Sequence, residues 1–197
     1  MLNRTDFYYF SPTGGTKKTG EILCQGLSEE IHPVDLGKRD QVAEIPESEL
    51  VVVAVPVFGG RIPALAADKL KSLEGKGKKA VTLAVYGTRA YEDALLELND
   101  IMMERGFQIL ASAACIAQHS IVPAVGKGRP DEQDREEILK FAAKVLEKLE
   151  KGADCPVSVP GNHLYKARMN MPVTPVCSLL VSSAEPLSRS VLRVRSA

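Results

Sequence analysis

The chain has 197 residues, 45% hydrophobic and 25% charged, which suits one globular α/β domain with a short remainder. Its 25 Lys and Arg balance 25 Asp and Glu, for a formal net charge of zero. That balance argues against a nucleic-acid or membrane-surface binder. The longest apolar run, Leu50 to Phe58, is far too short to cross a bilayer, and no signal-like apolar core opens the sequence. Cys24, Cys115, Cys155 and Cys177 are widely spaced with no Cys-x-x-Cys, as expected for reduced, mostly buried thiols in a cytoplasmic protein.

In chain order, an apolar strand from Asp6 to Phe10 runs into a hydroxyl- and glycine-rich turn, and a helical pattern follows from Thr16 to about Glu29. Ile31 to Leu36 reads as a short strand near a sheet edge. Leu50 to Val55 is a continuous β-branched run, as a parallel strand buried on both faces requires. Pro63 to Leu73 suits a helix with proline near its first turn. Ala80 to Tyr86 is a further strand, and Tyr91, Ala94, Leu95, Leu98 and Met102 recur at helical spacing. Phe107 to Ala117 is the fifth strand. A last helix starts near Asp131, carries Ile138, Phe141, Ala142, Val145 and Leu149 on one stripe, and stops at Gly152. This alternation predicts a three-layer α/β/α sandwich around a five-stranded parallel sheet of order 2-1-3-4-5. In such a sheet ligands sit beyond the carboxyl ends of the strands, at the switch between strands one and three.

Three turns fall there. Ser11-Pro12-Thr13-Gly14-Gly15-Thr16 follows strand one. A helix N-terminus offers unpaired amides and the positive end of the helix dipole, and the hydroxyls of Ser11, Thr13 and Thr16 add neutral donors for an anion. The P-loop pattern is not met, because Lys17 stands where its glycine belongs, and Gly-x-Gly-x-x-Gly is absent. Pro56-Val57-Phe58-Gly59-Gly60-Arg61 follows strand three and Tyr86-Gly87-Thr88-Arg89-Ala90-Tyr91 follows strand four. Phe58 and Tyr91 are candidates to stack on a flat heterocycle. A peptide beside Gly59 or Gly60 can turn its carbonyl toward a newly protonated ring nitrogen, since glycine tolerates positive φ. Arg61 and Arg89 are either attractors for an anionic ligand ring or solvated loop arginines.

Together these three motifs resemble one branch of the flavodoxin superfamily, in which a flavodoxin-like domain precedes a ferredoxin with two four-iron clusters. The likeness runs from about Thr5 to Tyr165 and includes Pro160-Gly161-Asn162. It implies a flavodoxin-like fold over residues 1–154 and FMN bound by the three turns. It also implies electron exchange with a ferredoxin or other iron–sulfur protein. A homodimer stays open. The ferredoxin itself is missing: Cys177 is the sole cysteine of that region, and one thiolate holds no cluster. The extension from 155 to 197 is rich in Pro, Ser and Arg and reads as extended, ending in an amphipathic turn through Leu187, Val191 and Leu192.

His119, after strand five, is the histidine near the expected cofactor edge and reads better as a hydrogen-bonded loop residue than as a proton donor. No metal-ligand spacing and no Ser-His-Asp arrangement is visible. Two other functions fit the same sequence: an NAD(P)H-dependent flavin or quinone reductase, and a flavin-free binding module.

Overall fold

A computed structural model of the chain describes residues 1–38, 45–152 and 157–168. In order these form β1 (Leu2–Tyr9), α1 (Gly15–Leu27), β2 (Ser28–Asp35), β3 (Leu50–Pro56), α2 (Ala64–Leu70), β4 (Lys79–Tyr86), α3 (Ala94–Glu104), β5 (Gln108–Ile116) and α4 (Glu132–Glu150). All strands are parallel, in the order β2-β1-β3-β4-β5, as the alternation of elements predicts.

The sheet is buried on both faces, and β3 shows why its sequence is continuously apolar. Val51, Val53 and Val55 join Tyr8, Leu70, Leu98 and Met102 on the α2–α3 side. Val52 and Ala54 join Phe7, Leu23, Leu27 and Ala142 on the α1–α4 side. With a side-chain period of two, a strand in the middle layer needs apolar residues at every position. Helix α1 lies close over β1 through Gly20, where a Cβ would stand 2.2 Å from Phe7 Cζ.

Several boundaries differ from the sequence reading, each for a local reason. Strand β1 begins at Leu2, ahead of the apolar run, because Leu2 and Arg4 pair with Ser28 and Glu30 of β2. Helix α1 ends at Leu27 and the chain passes directly into β2, so Glu29 is in a strand. Pro33 sits within β2, which is tolerated because that strand is at the sheet edge. Tyr91 precedes α3 instead of opening it, since Glu92 takes φ 44° and Asp93 is the residue before the first turn. At α4, Asp131 and Asp134 form a reciprocal capping box, with Asp131 Oδ1 accepting from the Asp134 amide at 3.0 Å.

After α4, residues 157–168 form a strap without helix or strand that lies against the start of α3. The boundary expected at 154, Cys155, Cys177 and the turn through Leu187 to Leu192 lie outside the described residues. Among the described residues no helix is long and apolar enough to cross a membrane.

Candidate functional site

The carboxyl ends of β1, β3, β4 and β5 open into one cleft. Its walls come from four loops: Pro12, Thr13, Gly15 and Thr16 from the first, Pro56 to Phe58 from the second, Tyr86 and Gly87 from the third, and Ala117 to Ser120 from the fourth. Thr13, Phe58 and Gly87 are therefore brought together.

The first loop is organised around its own donors. Gly14, with φ 87°, precedes α1 and gives it no side-chain cap, and no acidic residue occupies the first turn. Ser11 Oγ accepts the Lys17 amide at 3.0 Å, so this hydroxyl shapes the loop from within. The Gly14 amide donates to Ser11 O. Among the described residues, the amides of Gly15 and Thr16 and the hydroxyls of Thr13 and Thr16 have no acceptor. The nearby lysines turn elsewhere: Lys18 Nζ donates to Pro130 O at 2.7 Å, while Lys17 Nζ lies 3.6 Å from Glu21 and 5.7 Å from the Tyr9 ring centre. Uncompensated donors at a helix start, with the dipole's positive end behind them, suit a phosphate held by neutral groups.

In the second loop, Phe58-Gly59-Gly60-Arg61 is a tight two-residue turn. Phe58 N donates to Arg61 O at 2.8 Å, and Arg61 N returns to Phe58 O at 3.3 Å. Gly59 and Gly60 have φ 60° and 87°, the pattern of a type I′ turn. The Phe58 ring is 47% exposed at the cleft edge. The third loop holds Thr88 at φ 61° and Glu92 at φ 44°. A β-branched residue in the left-handed region is strained, and such strain concentrates at ligand sites.

Not every expected residue reaches the cleft. Tyr91 packs edge-on against Tyr86, with ring centres 5.5 Å apart, and of the two tyrosines it is Tyr86 that lines the cleft. Arg89 pairs with Glu92 and is 71% exposed. Arg61 turns its guanidinium into the protein, where Nε and Nη2 each meet the Glu97 carboxylate at 2.8 Å. The Tyr165 ring covers it at 4.6 Å, and its Nη1 donates to Lys166 O at 2.6 Å. The hydrogen bond to Glu97 holds the Arg61 guanidinium above its ordinary pKa. Glu97, buried, also accepts from the Ile62 amide at 3.1 Å and from Arg168. Sequence could not show this, because Glu97 lies in an ordinary helical pattern.

The same network closes the strap onto the third loop. Asp93 accepts the amides of Asn162 at 2.9 Å and Lys166 at 2.8 Å. The Lys166 bond first, then that of Asn162, brings the Asp93 carboxyl below the ordinary carboxylate range. The Asp93 amide in turn donates to Gly60 O at 3.1 Å. Second loop, third loop and strap are thus one hydrogen-bonded unit.

The fourth wall goes beyond the three turns that sequence reasoning assigned to the ligand. Its signal is the polar cluster Gln118-His119-Ser120 after β5, where His119 reads as a hydrogen-bonded loop residue near the cofactor edge but the segment is not counted among the ligand-binding turns. The segment is folded on itself: Gln118 N donates to Arg129 O at 3.1 Å and His119 N to Val125 O at 3.0 Å.

No protein-family model matches the chain, and no curated protein matches it in sequence. Solved structures match it in fold. Oxidised flavodoxin 2 from Bacillus cereus superposes with a TM-score of 0.58 at 19% identity, covering 74% of this chain and 99% of that one. Oxidised flavodoxin 1 from the same organism gives 0.56 at 17% identity, over 74% and 98%. The fold is flavodoxin-like. The flavodoxin-like scaffold also appears within a flavodiiron core from Synechocystis, with TM-score 0.57 and 15% identity over 77% of this chain and 37% of that one. An azoreductase from Bacillus anthracis shares it at TM-score 0.51 and 14% identity, over 75% and 100%.

Proposed function

We propose that this chain binds FMN in the four-walled cleft and works as an electron-transfer protein, exchanging electrons with an iron–sulfur partner. The observation that carries the reading is the set of donors at the start of α1 that have no acceptor among the described residues. They stand at the topological switch between β1 and β3, where this sheet order places a ligand. The flavodoxin neighbours support a flavin as that ligand, and the likeness of the three loops to the fusion branch supports an iron–sulfur partner.

FMN, when bound, supplies a ring system that takes up and releases electrons one at a time. The residues divide the remaining work. The amides of Gly15 and Thr16, with the hydroxyls of Thr13 and Thr16, would hold the phosphate. Phe58 and Tyr86 would flank the ring and keep water from it. The Gly59–Gly60 peptide can turn over within its tight turn while both Phe58–Arg61 hydrogen bonds persist, because glycine at both positions permits type I′ and type II′. This gives the loop a carbonyl that can face the ring or turn away.

The test is the absorption spectrum of the purified protein before and after addition of FMN. The expected result is a bound-flavin spectrum and quenched flavin fluorescence at one equivalent. A colourless protein that takes up no FMN selects a flavin-free binding module. Steady NAD(P)H oxidation by the FMN-loaded protein selects a reductase.

A further inference from the structure

His119 is held by both its chain and its ring. Its Nδ1 accepts from the amides of Ile121 at 3.2 Å and Val122 at 3.1 Å. An imidazole nitrogen that accepts two N–H groups carries no proton of its own, so the proton of the neutral ring resides on Nε2. The Cγ–Cδ2 side of the ring lies over Gly87: a Cβ on Gly87 would stand 2.6 Å from His119 Cδ2 and 3.0 Å from its Cγ. Both residues line the cleft. Among the described residues nothing accepts from Nε2.

From this placement we infer that His119 is a ligand-positioning residue. Its Nε2–H is a neutral donor, fixed in direction by the Ile121 and Val122 amides, for an acceptor atom at the edge of the ligand's ring. Gly87 is part of the device, because only a residue without a Cβ lets the imidazole approach the third loop this closely. The inference rests on the FMN reading for the identity of the ligand. The chemistry it adds is separate: a donor from the loop after β5, beside Gly87, in addition to those of the helix start. A flavin ring offers carbonyl oxygens and ring nitrogens as acceptors. A ligand without an acceptor there would leave a desolvated N–H unpaired and be rejected.

Two substitutions separate this role from loop support. Asparagine can place an oxygen near the position of Nδ1 and so keep the bonds from Ile121 and Val122, but it has nothing at Nε2. Glutamine can reach the position of Nε2 with an N–H, but gives up the Nδ1 acceptor. Imidazole 15N NMR of the flavin-free protein reads the tautomer, and FMN titration of wild type, His119→Asn and His119→Gln reads the contact. The expected results are an Nε2–H tautomer before any FMN is added and about fivefold weaker FMN binding in H119N at an unchanged melting temperature. In H119Q, FMN affinity stays near wild type while the melting temperature falls. FMN binding by H119N as tight as wild type overturns the inference and leaves the FMN assignment standing. An Nδ1–H tautomer, or H119Q weak while H119N is unchanged, also overturns it. A wild-type protein that binds no FMN overturns both readings together.

Discussion

At one side of the cleft the Ser11–Thr16 loop holds out donors that no described residue accepts, while beside the other Arg61 and Arg168 are spent on Glu97, and Asp93 on the strap amides of Asn162 and Lys166. The difference teaches how to tell a ligand group from a scaffold group. A donor at a helix start that the fold leaves without an acceptor is open to a ligand. A charge enclosed by opposite charge and aromatic surface is already used, however close to the ligand its loop runs. Formal charge alone would assign the site to Arg61 and Arg89; the neutral loop has the open valences.

Glu97→Ala breaks the comparison at its scaffold side and should have the largest effect. It leaves the largely buried Arg61 without its counter-charge, an expected loss of about 3 kcal/mol in urea unfolding. An unfolding free energy within about 0.5 kcal/mol of wild type would show that the Arg61–Glu97 pair is not what fixes the second loop. Thr16→Val attacks the other side. Its expected cost is about 1–2 kcal/mol in FMN affinity, with stability changed far less, as measured by fluorescence titration beside thermal melting.

Gly59→Asn sharpens the role of the tight turn. Asparagine tolerates the positive φ of type I′ but not the first position of type II′, so the fold is kept and the peptide is locked. The separation of the two one-electron midpoint potentials of bound FMN should change, by an amount equivalent to about one hydrogen bond. Gly60→Ala is the poorer test. A Cβ there stands 2.8 Å from Glu92 Cδ and 3.0 Å from Glu92 Cβ, at φ 87°.

A smaller effect follows from Asp93. Its folded pKa is lowered by the Lys166 and Asn162 amides, so its contribution is complete above the unfolded value of about 4 and is lost as pH falls through the depressed folded value. Amide shifts of Asn162 and Lys166, followed by NMR into the acid range, should move together there. In Asp93→Asn that transition should vanish. Arg89→Ala closes the series with almost no change in FMN affinity, since an exposed ion pair of this kind contributes little.

The order of the sheet, the nine elements and the cleft at the strand ends were legible because they depend on periodicity and on glycine-rich turns, which are local properties of the chain. Element ends were less so. The start of β1 at Leu2 depends on a partner strand, and the end of α1 depends on how tightly the chain turns into β2. The direction of Arg61 was illegible in principle: a carboxylate in α3, a tyrosine and a carbonyl in the strap all meet it from distant places in the sequence. Tyr91 was misplaced for a related reason, because helical spacing said nothing about the left-handed residue that follows it. His119 was visible as a residue, but its fixed tautomer exists only once the loop after β5 has closed.

The parallel sheet has a practical corollary for anyone labelling the molecule. All five strands point the same way, so Leu2, at the head of β1, is at the floor of the domain, whereas Arg168 bonds to Ile62 beside the second loop at the top. A dye or affinity handle joined ahead of Leu2 stays a full strand length from the cleft. Any insertion that pries Asn162 or Lys166 from Asp93 pulls at the loop that carries Gly60, so a probe placed there would report on, and perturb, the site itself.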